Sequence, residues 1–233
     1  MIMSTIAQNL QAVHHSIVVA TQEARRDSGA VTLLAVSKTF GADAVLEAVR
    51  AGQMAFGENY LQEALDKMSA LAEILPNGAL EWHFIGPIQS NKTRPIAEHF
   101  DWVHTVEREK IALRLSQQRP AGMAPLNICL QVNISGEASK SGVAPDELVA
   151  LAHKVAALPN LTLRGLMAIP EPTLEFEQQR AAFRQLRLLY EQLRGAGLAL
   201  DTLSMGMSAD MRAAIAEGAT IVRVGSAIFG SRN

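Results

Sequence analysis

The 233-residue chain carries one cysteine, two tryptophans and two tyrosines, and none of its apolar runs approaches the roughly 20 residues needed to cross a bilayer. Each scarcity excludes something. Cys129 has no second cysteine with which to close an intrachain disulfide, so a disulfide-stapled scaffold is excluded, and in "NICLQVN" it reads as a small buried hydrophobe. The N-terminal stretch "MIMSTIAQNLQAVHHSIVVATQEARR" lacks a basic region followed by an apolar block and a cleavage site. It reads as an amphipathic helix, and with the lone thiol it leads to the expectation of a reducing, cytoplasmic setting. A net charge of −2 provides no basic field, so neither nucleic acid nor membrane is an expected partner.

Several catalytic signatures are missing as well. The six histidines form no HExxH and no close pairing with cysteine; in "HFDWVH", His99 and His104 read as a helix end and a strand, so no metal site is expected. Ser208 lacks the flanking glycines of a nucleophile elbow, and "GSAIFG" has the wrong spacing for a dinucleotide fingerprint.

What is present is a globular composition, with 48% hydrophobic and 19% charged residues and no long polar tract. One domain is expected over residues 1–233, with 1–30 forming an N-terminal helix packed on it. Eight short apolar runs recur: "TLLAVS" at Thr32, "MAFG" at Met54, "WHFIG" at Trp82, "WVHTV" at Trp102, "NICLQVN" at Asn127, "LRGLMAI" at Leu163, "TLSMG" at Thr202 and "IVRVG" at Ile221. Longer segments of helical period separate them, among them "ADAVLEAVRAG" and "FEQQRAAFRQLRLLYEQLRGAG", both closed by glycine. Strands joined by crossover helices run parallel, and eight such units predict an α/β fold, a closed (β/α)8 TIM barrel with an extra N-terminal helix. An open doubly wound sheet is the alternative.

In a barrel the C-terminal strand ends carry the chemistry. Lys38 stands there, directly after "TLLAVS". The last two units each follow a strand with glycine, a hydroxyl residue and a helix start: Gly206 and Ser208, then Gly225 and Ser226. Exposed N–H groups with a nearby hydroxyl suit a phosphate. Arg223 is a permanent cation inside the apolar run "IVRVG" and needs either an interior carboxylate or a ligand acceptor. A lysine, two phosphate cradles and an arginine at one barrel mouth suggest a phosphorylated aldehyde held by Lys38 as a Schiff base. Plainer readings are a solvated lysine, ordinary turn glycines and N-cap serines.

The segments "LLAVSKT", "FGENY", "WHFIGPIQSNK", "SKSG", "RGLMAI", "LSMGMSADM" and "VRVGSAIFG", in order from about Leu33 to Gly230, closely resemble the pyridoxal phosphate homeostasis proteins, the YggS/PROSC family. That family is related to the N-terminal barrel of alanine racemase, which supports the closed barrel. The resemblance implies that Lys38 forms the internal aldimine with pyridoxal 5′-phosphate, that Ser208, Gly225 and Ser226 hold the phosphate, and that Arg223 faces the pyridine nitrogen. Asn59, His83 and Met205 match positions near the cofactor in such barrels. His83 equally fits a satisfied barrel histidine, and Met205 plain core packing.

Enzymes that use this cofactor as a strong electron sink place a carboxylate at the pyridine nitrogen, which an arginine does not supply. A racemase also needs a second base. The tyrosines on offer are Tyr60 at a helix start and Tyr190 on the outer ring, and the chain ends a few residues after its eighth strand. A cofactor carrier without substantial turnover is therefore expected, contributing to vitamin B6 and amino-acid homeostasis as the family does, as a monomer. Its expected partners are apoenzymes dependent on pyridoxal phosphate or enzymes producing it. The rival within enzymes is an amino-acid racemase; the rival outside this cofactor is a Schiff-base aldolase. The loop Ser135 to Val143 is a candidate movable cover, with Lys140 as a transient acceptor or a solvated lysine. Phe40 stands where many family members carry a polar or basic residue, which removes one possible exchanging amine.

Overall fold

The computed structural model describes residues 4–76, 78–136 and 141–230. Short apolar runs bounded by turn residues favour strands over helices, and all eight runs form strands: β1 (Thr32–Val36), β2 (Ala55–Glu58), β3 (Glu81–Phe84), β4 (Trp102–Val106), β5 (Leu126–Gln131), β6 (Leu161–Met167), β7 (Thr202–Ser204) and β8 (Ile221–Val224). The helices are α1 (Thr5–Glu23), α2 (Ala42–Arg50), α3 (Leu61–Ala72), α4 (Thr93–His99), α5 (Glu109–Gln118), α6 (Leu148–Ala156), α7 (Phe176–Gly195), α8 (Met211–Ala216) and α9 (Ser226–Phe229). Each strand pairs in parallel with the next, and β8 returns to β1 with Arg223 opposite Leu34 and Val224 opposite Ala35. The sheet is a closed barrel, as expected from the β/α rhythm, and the open alternative is set aside.

The two-residue period of a strand sorts its side chains between two apolar layers. Leu34, Ala55, Trp102, Cys129, Met167 and Ile221 pack inside the barrel. Phe56, Val103, Ile128, Leu166 and Val222 point outward and join buried helix residues such as Val45, Ala64, Leu115 and Phe183. Burial pushes the Cys129 thiol up to about 12, so it stays protonated and serves as the small hydrophobe expected of it.

Helix α1 presents Leu10, Val13 and Ile17 at helical spacing to the barrel's outer ring. Asn9 Nδ2 donates to the Ile228 carbonyl at 2.9 Å, and Arg26 Nη1 to the Ile215 carbonyl at 2.8 Å, fixing the segment beside α8 and α9. On the facing side of α8, Arg180, Arg184 and Arg187, three and four residues apart on α7, all reach the buried carboxylate of Glu217. Burial raises the Glu217 pKa, but hydrogen bonds from Arg184 and Arg180 outweigh it and hold the group below its ordinary value. A depressed folded-state pKa contributes stability that is present above the unfolded value of about 4.3 and is lost as pH falls through the folded value.

Two outcomes test this packing. A Cβ on Gly165 would lie 1.7 Å from the Thr202 carbonyl oxygen, a clash with backbone. Gly165→Ala is expected to lower the unfolding free energy by about 3 kcal/mol or more, read by urea denaturation; wild-type stability would contradict the close β6–β7 approach. For Glu217→Gln, the fall in stability between about pH 5 and pH 3 should be shallower than in the wild type, and an unchanged slope would contradict the depressed carboxyl.

Candidate functional site

Lys38 lies two residues beyond β1, half-buried, where the chain leaves the barrel. Its two neighbours are clamped. Lys67, on α3 and only 4% exposed, donates to the Ser37 carbonyl at 2.8 Å and pairs with Glu58 Oε1 at 2.5 Å and Glu63 Oε1 at 3.2 Å. Ser37 Oγ donates to the same Glu58 oxygen at 2.6 Å. On the other side the Thr39 N–H donates to Glu63 Oε1 at 2.6 Å while Thr39 holds φ at 70°, a left-handed conformation that a β-branched residue rarely adopts. Strain at Thr39 persists because two carboxylates and one ammonium over-determine the turn. Phe40 follows, its ring stacked on Phe229 of α9 at 5.2 Å, so the residue that replaces a possible second amine joins the first strand exit to the last helix.

Burial raises the Glu58 pKa, opposed by Lys67, and Glu58 Oε2 has no hydrogen-bond partner among the described residues. Removing the ammonium would strand this carboxylate. Lys67→Met is therefore expected to cost about 3 to 5 kcal/mol in urea denaturation, with most of that recovered in Glu58→Gln/Lys67→Met. A stable single variant would contradict the clamp.

Arg223 stands on β8, 4% exposed, next to β1. Its Nη1 donates to Ser204 Oγ at 2.8 Å and its Nη2 to the Ala168 carbonyl at 3.1 Å; among the described residues its hydrogen-bond partners are this hydroxyl and this carbonyl, not a carboxylate. Burial pushes the guanidinium down to about 10, offset in part by attraction to Asp210, so it remains a cation near neutral pH. Behind Ser204, its Oγ lies 2.7 Å from His104 Nδ1, His104 Nε2 lies 2.9 Å from His83 Nδ1, and His83 Nε2 lies 2.7 Å from Glu81 Oε1.

The two glycine turns meet beside Arg223. Gly206 has φ +95°, and a Cβ there would come within 2.5 Å of Ala214 Cβ, so the turn brings bare backbone close to α8. The Met207 N–H donates to Asp210 Oδ1 at 2.6 Å, and the Arg223 N–H donates to the Gly206 carbonyl at 2.9 Å, tying this turn to β8. Ser208 is exposed in the turn; Gly225 and the exposed Ser226 open α9 at the end of β8. Asn59 follows β2, and its Oδ1 is buried with no hydrogen-bond partner among the described residues. It borders a cavity of about 420 Å³ at the mouth, walled by Ile85, Thr105, Glu107, Gln131 and Ile169.

The fold thus gathers Lys38, Arg223, Gly225, Ser226 and the Ser208 turn on the β7, β8 and β1 exits, with Asn59 beside them on β2. Met205 is fully buried in the layer shared with the helices, directly before Gly206. His83 is buried inside the barrel with both ring nitrogens engaged, the satisfied-histidine reading. Lys140 lies outside the described residues, although Gly142 N–H donates to Glu107 Oε2 and Val143 N–H to the Gln131 carbonyl where the loop rejoins β5. Sequence reasoning passed over Glu58, Lys67, Ser204 and Asp210, and read His104 only as a strand residue. The available signals were a charge at the end of "AFGE" and lone polar residues at inward positions of "WVHTV" and "TLS".

Comparison with known proteins gives the family. Residues 8–233 match the model for the alanine racemase N-terminal domain. The pyridoxal phosphate homeostasis protein of Pseudomonas aeruginosa is 64% identical over 231 residues, covering 99% of this chain and 97% of that protein. PipY of Synechococcus elongatus without PLP is 39% identical with a TM-score of 0.85, covering 97% of this chain and 100% of that one. PipY with PLP bound is 37% identical with a TM-score of 0.83 at the same coverage. The matches run through the strand exits that carry Lys38, Arg223 and the two glycine turns, and the chain belongs to the alanine racemase N-terminal domain family and, within it, to the pyridoxal phosphate homeostasis proteins.

Proposed function

We propose that this chain binds pyridoxal 5′-phosphate (PLP) at the barrel mouth, covalently through Lys38, and serves vitamin B6 and amino-acid homeostasis in the cytoplasm as a carrier without substantial turnover. The observation that carries this reading is the pairing of β1 with β8, which puts the strand exit bearing the half-buried Lys38 beside the strand bearing the buried cation of Arg223. The naming of the Pseudomonas relative and the PLP bound to PipY support it.

The donor set suits such a ligand. Asn59 Oδ1 is a buried acceptor with no partner among the described residues, and the Gly206 turn presents backbone where a side chain would not fit. When bound, PLP would supply three groups: a dianionic phosphate, a ring nitrogen, and an aldehyde able to condense with a primary amine. Lys38 provides the amine, on a turn whose strain and hydrogen bonds restrict where it points. Ser208, Gly225 and Ser226 provide hydroxyl and N–H donors for the phosphate. Arg223 offers donors only, so it accommodates a ring nitrogen as an acceptor and does not protonate it into a strong electron sink.

Turnover on amino acids would need a second base at the mouth. Tyr190 Oη donates to the Leu200 carbonyl on the outer ring, and Tyr60 is 54% exposed at the start of α3. Under this reading PLP is exchanged with apoenzymes that require it or enzymes that make it.

Saturation with PLP, borohydride reduction and peptide mapping should place the label on Lys38, and Lys38→Ala should lose the yellow colour. An unlabelled Lys38 would overturn the reading. Sustained amino-acid-dependent deuterium exchange at Cα would overturn the carrier assignment and favour a racemase.

A further inference from the structure

The residues behind Arg223 form one hydrogen-bond chain across the barrel lumen, from β8 through β7 and β4 to β3: Arg223, Ser204, His104, His83 and Glu81, with successive separations of 2.8, 2.7, 2.9 and 2.7 Å. Its two ends differ in kind. A guanidinium donates and never accepts; a carboxylate accepts and never donates. Glu81 is half-exposed and its pKa is lowered, chiefly by its hydrogen bond from His83, so it is ionised near neutral pH. Burial pushes both imidazoles below their ordinary value, His104 far below, which keeps them neutral.

These end conditions leave one arrangement of protons. Arg223 Nη1–H donates to Ser204 Oγ, the Ser204 hydroxyl donates to His104 Nδ1, His104 Nε2–H donates to His83 Nδ1, and His83 Nε2–H donates to Glu81. Every bond points the same way. Ser204 is the one link that must accept from the cation and donate to an imidazole at once, which a hydroxyl can do and a carboxylate cannot. The partner it gives Arg223 is neutral, while the carboxylate that attracts the guanidinium, Asp210, stands in the turn after β7.

We propose that Ser204 and His104 are positioning residues for Arg223, forming with His83 and Glu81 a one-way hydrogen-bond chain that fixes the guanidinium's orientation toward the cofactor ring. The role toward the ring rests on the PLP-binding reading above; the proton arrangement does not. A chain of this kind restrains the side chain in rotation as well as position, because turning the guanidinium would leave the Ser204 oxygen without its donor and would cascade through both imidazoles.

The first test uses the cofactor-free wild-type protein. Long-range nitrogen-15 NMR at neutral pH should show His83 and His104 both as neutral Nε2–H tautomers; a proton on Nδ1 of either ring would overturn the chain. The second uses PLP binding. Ser204→Ala should weaken PLP binding by about tenfold and shift the visible absorption of the loaded protein, while Ser204→Thr, which keeps the hydroxyl, should remain within about twofold of wild type. An unchanged affinity and spectrum in folded Ser204→Ala, with Lys38 of the wild type labelled by borohydride, would overturn this inference alone. An unlabelled wild type would overturn the cofactor reading and, with it, the role toward the ring. Should Ser204→Ala fail to fold, the tautomers of the wild type decide the chain, and failure of Ser204→Thr to bind PLP like the wild type would overturn the positioning role.

Discussion

A cation taken out of water must find acceptors, and two such cations, Lys67 and Arg223, are each only 4% exposed in this structure. Everything near the mouth is arranged around their partners. Lys67 is met by two carboxylates and a carbonyl, and because those acceptors belong to β2, α3 and the end of β1, pairing them fixes the turn that carries Lys38. Arg223 donates to a hydroxyl and a carbonyl among the described residues, and Asp210 attracts it from the turn after β7. One buried cation shapes the backbone; the other is held by neutral hydrogen-bond partners.

The two arrangements account for a carrier better than for a versatile catalyst. Under the proposed reading, an amine on a rigid strand exit suits reversible capture of an aldehyde, and N–H and hydroxyl donors on the adjacent strand exits suit retention of a phosphate. A donor-only Arg223 at the ring, as proposed, would withhold the proton that strong carbanion stabilisation requires. The division agrees with the naming of the close relative as a homeostasis protein.

Much of the fold was legible because its signals are local. A strand of four to seven residues and an amphipathic helix each declare themselves within a short window, so the β/α rhythm could be read and closure inferred. Lys38 and Arg223 stood out as charges at the end of, or inside, apolar runs. Lys67 did not, because on its own helix it makes an i,i+4 pair with Glu63 that reads as a solvated face; only the packing of α3 against the end of β2 brings Glu58 beneath it. Ser204 and His104 lie 100 residues apart and meet only across the lumen, so no window of sequence contains the pair. Met205 matched a family position, yet the strand's alternation turns it to the opposite layer from Ser204.

The central claim is that a captured PLP meets an amine at one end and a donor-only guanidinium at its ring. The most direct measurement is the nitrogen-15 chemical shift of ring-labelled PLP bound to the wild-type protein. A shift in the range of an unprotonated pyridine is the expected result. A pyridinium shift, unchanged in Arg223→Lys, would contradict the account.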